Sequence, residues 1–331
     1  MTRRLDGRDA RDVATAAERL RGGGLVAFPT ETVYGLGADG RSAAAVARIF
    51  AAKGRPADNP LILHVPDFAA AAALWDTDAE RLARARRLAE AFWPGPLTLV
   101  LPKAAGIPDA VTAGQDTVAV RVPDHPVALA LLRAFGGPLA APSANRSGRP
   151  SPTTAAHVLA TLDGRIDAVL DGGPTAVGVE STVLALDGPR PRVLRPGDVT
   201  AAQLAPVLPD LDSGAPAEAD LARSPGLRHR HYAPEGVALR LADADAIAAA
   251  WDGPAALLCR AETAARCGGA RGAPLEVLPD DAAGFARGLY AALHGLERSG
   301  AAQALVERPP ADPAWDAVRD RLRRAAEAGG T

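Results

Sequence analysis

The residues best suited to chemistry sit in five segments rich in glycine, proline and hydroxyl side chains. They are PTETVYGLG (29–37), KGRPADNPL (53–61), PLAAPSANRSGRPSPT (138–153), DGGPTAVGVEST (171–182) and VLRPG (193–197). Each borders an apolar run, where α/β folds place their ligand loops. Only Lys53 and Lys103 are lysines among 37 basic residues, so a lysine kept inside a polar motif points to chemistry. Lys53 and Arg55 leave a helix end on one short turn, which Pro56 stiffens. A point charge beside a planar fork suits a polyphosphate. Ser143, Asn145 and Ser151 can donate to phosphate or ribose oxygens. Arg121 lies in the apolar stretch VAVRV, where an unpaired charge is costly. It should meet an anion, either a carboxylate ligand or a protein acid.

Several other chemistries are excluded. Gly35-x-Gly37-x-x-Gly40 has the spacing of a dinucleotide fingerprint, but PTETVY separates it from the strand expected to end at Phe28. No Walker P-loop and no G-x-S-x-G occurs, and neither lysine has a serine three positions before it. His229-x-His231 lacks nearby third and fourth ligands for zinc. What remains is cations, hydroxyls and backbone amides without a covalent nucleophile. That set suits phosphoryl or nucleotidyl transfer, where catalysis is positioning and charge stabilisation.

The elements that must position these residues follow from pattern. The 331 residues suggest two domains, and a net charge of −2 supplies no field for nucleic acid or acidic lipid. Hydrophobic residues make up 48% and aromatics 4%, so the core is built from Ala, Leu and Val. Two cysteines make no disulfide framework, and no apolar run nears the ~18 residues of a membrane span. Together these features read as a folded, soluble, cytoplasmic protein. Helices are predicted at 11–21, 42–53, 78–92, 125–135 and 153–161. Strands are predicted at 25–28, 61–65, 97–101, 117–122, 138–141, 167–170, 181–187 and 192–195. The last strands are too close for helical crossovers, so part of the sheet should be antiparallel. The polar stretch from 208 reads as a linker. Beyond it, strands at 237–241, 255–259, 274–278 and 303–306 alternate with helices, as in a small parallel α/β domain. Arg319–Arg324 reads as a solvated helix face.

Read together, the segments resemble the YrdC-like threonylcarbamoyl-AMP synthase family. PTETVYGLG, KGRPADNPLILHV, WPGPLTLVL, VAVRVPDHP, PLAAPSANRSG, DGG...GVESTV and VLRPG occur in family order across residues 9–207. SPGLRHRHYAP (224–234) resembles the linker of the two-domain form. The resemblance implies an α/β fold: a YrdC-like twisted mixed sheet with flanking helices (1–207), a linker or lid (208–236) and a small Rossmann-like parallel domain (237–331). It implies synthesis of L-threonylcarbamoyl-AMP from L-threonine, bicarbonate or CO₂, and ATP, with release of pyrophosphate. A partner complex would then transfer the group to the adenosine beside the anticodon of tRNAs reading ANN codons.

The family's catalytic tetrad corresponds to Lys53, Arg55, Ser143 and Asn145. Threonine is expected on Thr32, His64, Arg121 and Ser181, with a backbone contact near Ala141. ATP is expected on Arg55, Asn59, Thr117, Ser143, Ser151 and Arg195, with Lys53 on the phosphates and Asn145 beside them. Mg²⁺ is expected with ATP, without assigned protein ligands. His229, Arg230, His231 and Tyr232 are expected to fold over the nucleotide. Glu31 reads as a loop charge. The rival reading is a non-catalytic RNA-binding module of the same fold, which the net charge disfavours. No stable direct binding of nucleic acid and no membrane partner is expected.

Overall fold

A computed structural model describes residues 1–212, 214, 223–224, 231–251, 255–267 and 273–327. The chain divides into two compact units. The first comprises Met1–Ser147, Pro152–Ala176 and Glu180–Arg228; the second comprises Gly148–Ser151, Val177–Val179 and His229–Thr331.

The strands of the first unit are β1 (Arg3–Asp6), β2 (Val26–Phe28), β3 (Gly35–Asp39), β4 (Ile62–His64) and β5 (Leu97–Pro102). They continue with β6 (Thr117–Arg121), β7 (Leu139–Ala140), β8 (Ala168–Asp171), β9 (Thr182–Ala185) and β10 (Arg192–Arg195). They form one sheet in the order β1-β8-β2-β3-β7-β4-β6-β5-β9-β10. β1/β8, β2/β8, β4/β6 and β5/β9 pair in parallel, and the other pairs are antiparallel. The sheet is therefore mixed, as the short spacing of the later strands requires.

Side chains alternate between the two faces of a strand, and this alternation decides where the polar residues go. Leu63, Val118, Val120, Leu97, Leu99 and Leu184 enter the main core on one face, together with the helix Ala43–Lys53. The opposite face of β4, β6, β5 and β9 carries a small cluster of Ile62, Val100, Ala119, Val183, Ala185 and Leu194. His64, Thr117, Arg121 and Thr98 share the parity of that second face, and so does Ser181 just before β9.

Some elements differ from expectation. Gly35–Gly37 were expected as part of a ligand loop and open strand β3. A Cβ on Gly37 would sit 3.0 Å from the Phe28 ring and 3.2 Å from the Val26 carbonyl, so this glycine lets β3 close on β2. Edge strand β1 and the short helices Phe68–Ala72, Asp109–Thr112, Ala201–Leu204 and Ala261–Arg266 are also additional to the prediction. Residues 208–212, the expected start of the linker, pack on the first unit: Leu208 is buried, and Asp212 pairs with Arg192.

The second unit holds β11 (Ala238–Ala242), β12 (Ala256–Arg260), β13 (Leu275–Leu278) and β14 (Gln303–Glu307), all parallel, in the order β11-β14-β12-β13. Arg321 is fully buried on the helix Asp316–Glu327, correcting the expected solvated arginine face at this position. Its helical phase places it with Val318, Leu322 and Ala325, and its charge meets Asp320 at 2.8 Å and the Tyr232 ring at 5.5 Å.

Gly197 is the tightest glycine of the first unit's site region. A Cβ there would lie 2.2 Å from the Thr182 nitrogen and 2.4 Å from the Ser181 carbonyl carbon. Gly197→Ala should lower unfolding free energy by about 1–3 kcal/mol, read as a lower urea midpoint. An unchanged midpoint would contradict this packing.

Candidate active site

Lys53 is the last residue of its helix, which Gly54 ends in the left-handed conformation at φ 61°. The Lys53 side chain is 2% exposed. Its Nζ donates to the carbonyls of Ser143 and Asn145 at 2.6 and 2.5 Å. The Lys53 carbonyl in turn accepts from the Ser147 nitrogen at 2.8 Å. Burial, followed by the charge of Arg55, holds the ammonium well below the ordinary lysine range. Buried Arg55 donates from Nε to the Asn59 carbonyl at 3.1 Å and from Nη2 to the Pro60 carbonyl at 2.8 Å. Ser143 is half-buried and Asn145 is buried, its amide donating to the Arg146 carbonyl at 2.9 Å.

The loop 142–145 is fixed by the PTETVYGLG segment. The Leu36 nitrogen donates to the Pro142 carbonyl, and the Ala144 nitrogen to the Tyr34 carbonyl, at 2.7 and 2.8 Å. Tyr34 also donates from its hydroxyl to the Gly173 carbonyl at 2.7 Å, joining a third motif. Four of the five sequence segments are thus bonded to one another, and Arg195, which donates to the Ser181 carbonyl, joins the fifth.

A second group surrounds Arg121, which is 3% exposed and lies opposite His64 in the β4/β6 register. Its Nε donates to the Gly95 carbonyl at 3.1 Å, and its Nη1 to Thr32 Oγ1 at 3.0 Å. Its Nη2 lies 2.6 Å from Glu31 Oε1. The anion that the sequence demanded is therefore a protein acid in this structure. Glu31, read as a loop charge, is a correction: it is 6% exposed because Arg121 draws it inward. His64 contacts the Ile62 carbonyl through Nδ1 at 3.3 Å and packs edge-on against Phe28. Burial and the neighbouring Arg121 push its pKa down to about 3. The Ala141 nitrogen donates to the Ile62 carbonyl at 3.0 Å.

A third group lies at the start of β9. Ser181 Oγ is 2.8 Å from Thr98 Oγ1, a partner the sequence did not indicate. Arg195 donates to the Ser181 carbonyl at 3.2 and 2.9 Å; the register shift in β10 turns it there. Asp198, just beyond, has its carboxyl pushed up by partial burial and by Glu31, with Arg121 acting against both.

Thr117 opens β6 and is buried, whereas Asn59 lies on the turn that receives Arg55. Ser151 belongs to the second unit, where its carbonyl is 3.3 Å from His294 Nε2. His229 and Arg230 lie outside the described residues. His231 and Tyr232 are buried in the second unit, with the Tyr232 ring 5.6 Å from Tyr290. Tyr232 is thus a core side chain of that unit, and its φ of 65° shows how sharply the backbone turns there. Asp171 is held by Arg4 and lies near the Tyr34 hydroxyl. Among the described residues no three His, Cys, Asp or Glu side chains group as metal ligands.

Buried cations seated on backbone carbonyls beside hydroxyls suit an anion-binding α/β protein. The chain belongs to the Sua5/YciO/YrdC family, whose model, described as telomere recombination, matches residues 18–197. The model for the threonylcarbamoyl-AMP synthase C-terminal domain matches residues 199–327. The chain is 51% identical to the threonylcarbamoyl-AMP synthase of Bacillus subtilis over 225 residues, 67% of this chain and 64% of that protein. It is 49% identical to that of Pyrococcus abyssi, over 67% of this chain and 65% of the relative. These alignments span just under two thirds of the curated relatives' own length. The crystal structure of P. abyssi Sua5 complexed with L-threonine superposes with a TM-score of 0.87 at 38% identity, covering 99% of this chain and 98% of the other. The structure of E. coli YciO gives 0.52 at 25% identity, over 60% of this chain and 96% of that one.

The neutral His64 ring makes stability depend on pH. Folded, it titrates near 3; unfolded, near 6.5. The unfolded chain therefore binds the additional proton between these values, and stability falls as pH drops through that window. Between pH 7 and 5 the unfolding free energy of the native chain should fall about 2 kcal/mol more than that of His64→Gln. Parallel denaturation curves for the two proteins would contradict the burial of a neutral ring.

Proposed function

We propose that this chain makes L-threonylcarbamoyl-AMP from L-threonine, bicarbonate or CO₂, and ATP, releasing pyrophosphate. The observation that carries the reading is the buried Lys53 ammonium, seated on the carbonyls of Ser143 and Asn145, in a chain so similar to a Sua5 that holds L-threonine. Lys53 and Arg55 would stabilise charge on the triphosphate, with Asn59, Thr117, Ser143, Asn145, Ser151 and Arg195 positioning the nucleotide. Arg121 would take the amino acid's carboxylate, with Thr32, His64, Ala141 and Ser181 around it. N-carboxylated threonine supplies its own nucleophile: its carbamate oxygen attacks the α-phosphorus, and the bond to pyrophosphate breaks. No serine or cysteine nucleophile is then needed. Mg²⁺ would arrive on the triphosphate and offset its charge.

The product is a labile mixed anhydride, so a transferase complex would consume it to modify the adenosine beside the anticodon of tRNAs reading ANN codons. We place the reaction in the cytoplasm; no helix among the described residues is long and apolar enough to cross a membrane.

Pyrophosphate release by the purified protein should require ATP, threonine and bicarbonate together. Release that is the same without threonine would overturn the synthase reading. Tight tRNA binding with a steep salt dependence, without ATP binding, would favour the RNA-binding module instead. Lys53→Ala should lower kcat by about 100-fold or more. Arg121→Ala should raise the threonine KM about tenfold or more while leaving that for ATP within about twofold. An unaltered threonine KM would reject the role of Arg121.

A further inference from the structure

The contact between Arg121 and Glu31 differs in kind from the other contacts of the site. Arg121 Nε and Nη1 make hydrogen bonds to the Gly95 carbonyl and Thr32. Nη2, by contrast, approaches Glu31 Oε1 at 2.6 Å without hydrogen-bond alignment. Among the described residues, neither Glu31 oxygen accepts a hydrogen bond. The two side chains are 4% and 8% exposed. A buried carboxylate with lone pairs unused is costly, since its desolvation is offset by charge alone.

The charged and titratable groups acting on Glu31 are few. Arg121 faces it from β6; His125 lies just before the helix Pro126–Phe135, with Asp124 beside it; Asp198 follows β10. His64 flanks Arg121 from β4 and is neutral near pH 7, and burial likewise lowers the pKa of His125. Arg121 is therefore the cation that meets Glu31, and a ligand that engaged Arg121 would leave Glu31 needing a new cation and new donors.

An α-amino acid carries both parts of that exchange on one carbon. We propose that Arg121 and Glu31 separate when the amino acid enters, Arg121 binding its carboxylate and Glu31 its ammonium, so that Glu31 selects amino acids over hydroxy acids. This rests on the amino-acid reading of the pocket and adds the residue that recognises the nitrogen. Once that nitrogen carries the carbamate it is no longer a cation, and the attraction of Glu31 ends with the free amino acid.

Calorimetric titration of the full chain with L-threonine and with 3-hydroxybutyrate, which lacks only the ammonium, tests the assignment. The native protein should favour threonine by about tenfold or more. Glu31→Gln should weaken threonine by about tenfold and leave 3-hydroxybutyrate within about twofold, collapsing the preference. Glu31→Asp, which keeps the charge, should retain part of it and serves if the glutamine variant does not fold. Equal weakening of both ligands, as expected of a merely structural partner of Arg121, would overturn the proposal, as would unchanged threonine binding. If the native protein binds threonine, either result leaves the function proposed above intact. If the native protein binds neither threonine nor another α-amino acid, the reading of the pocket falls, and this inference with it.

Discussion

A lysine ammonium taken out of water must be met by acceptors, and the site is organised around that demand at Lys53. Two of its three N–H groups are used by the Ser143 and Asn145 carbonyls, and among the described residues no carboxylate pairs with it. The helix has to end at that residue, which Gly54 in the left-handed region achieves. The loop 142–147 has to present two carbonyls to one point, which its bonds to residues 34–36 and to the Lys53 backbone enforce. Carbonyl dipoles anchor the ammonium without cancelling its charge, and this suits a cation meant for a polyanion.

Arg121 shows the other way to keep a cation buried. It lies three strands from β3, on the face opposite the main core, and its charge is balanced by Glu31. The alternation of β6 explains how a single five-residue strand serves both purposes: Val118 and Val120 fill the core, whereas Thr117, Ala119 and Arg121 face the site. β5 and β9 repeat the arrangement with Thr98 and Val183. Polar side chains thus enter the sheet without disturbing the leucine and valine layer behind it.

Much of this was legible in the sequence. Long periodic segments such as Ala79–Phe92 and Ala282–Arg298 declare themselves by apolar spacing and by aspartate N-caps, here Asp78 and Asp281. The Lys53-x-Arg55 and Ser143-x-Asn145 pairs were visible as polar motifs between apolar runs, and the buried charge of Arg121 demanded an anion from its context alone. Glu31 was missed because nothing local distinguishes a glutamate in PTET from a surface charge; only the tertiary fold brings the loop between β2 and β3 to Arg121 at the end of β6. β3 was missed because glycines read as turn residues, whereas here they accommodate Phe28 from the neighbouring strand. Thr98 was invisible for the same reason as Glu31: its partner, Ser181, is 83 residues away. Arg321 was misplaced because an arginine-rich helix end looks solvated until a tyrosine ring elsewhere in the chain covers one position.

The central claim is that a dehydrated ammonium at Lys53 waits for phosphate. Calorimetric titrations of the native chain with ATP across the alkaline range below the ordinary lysine pKa, in buffers of different ionisation enthalpy, test it most directly. If burial lowers the Lys53 pKa and the triphosphate restores it, binding must take up a fraction of a proton from the buffer, and Lys53→Arg must abolish the uptake. Binding that is proton-neutral across buffers, or uptake that persists in Lys53→Arg, would contradict the account.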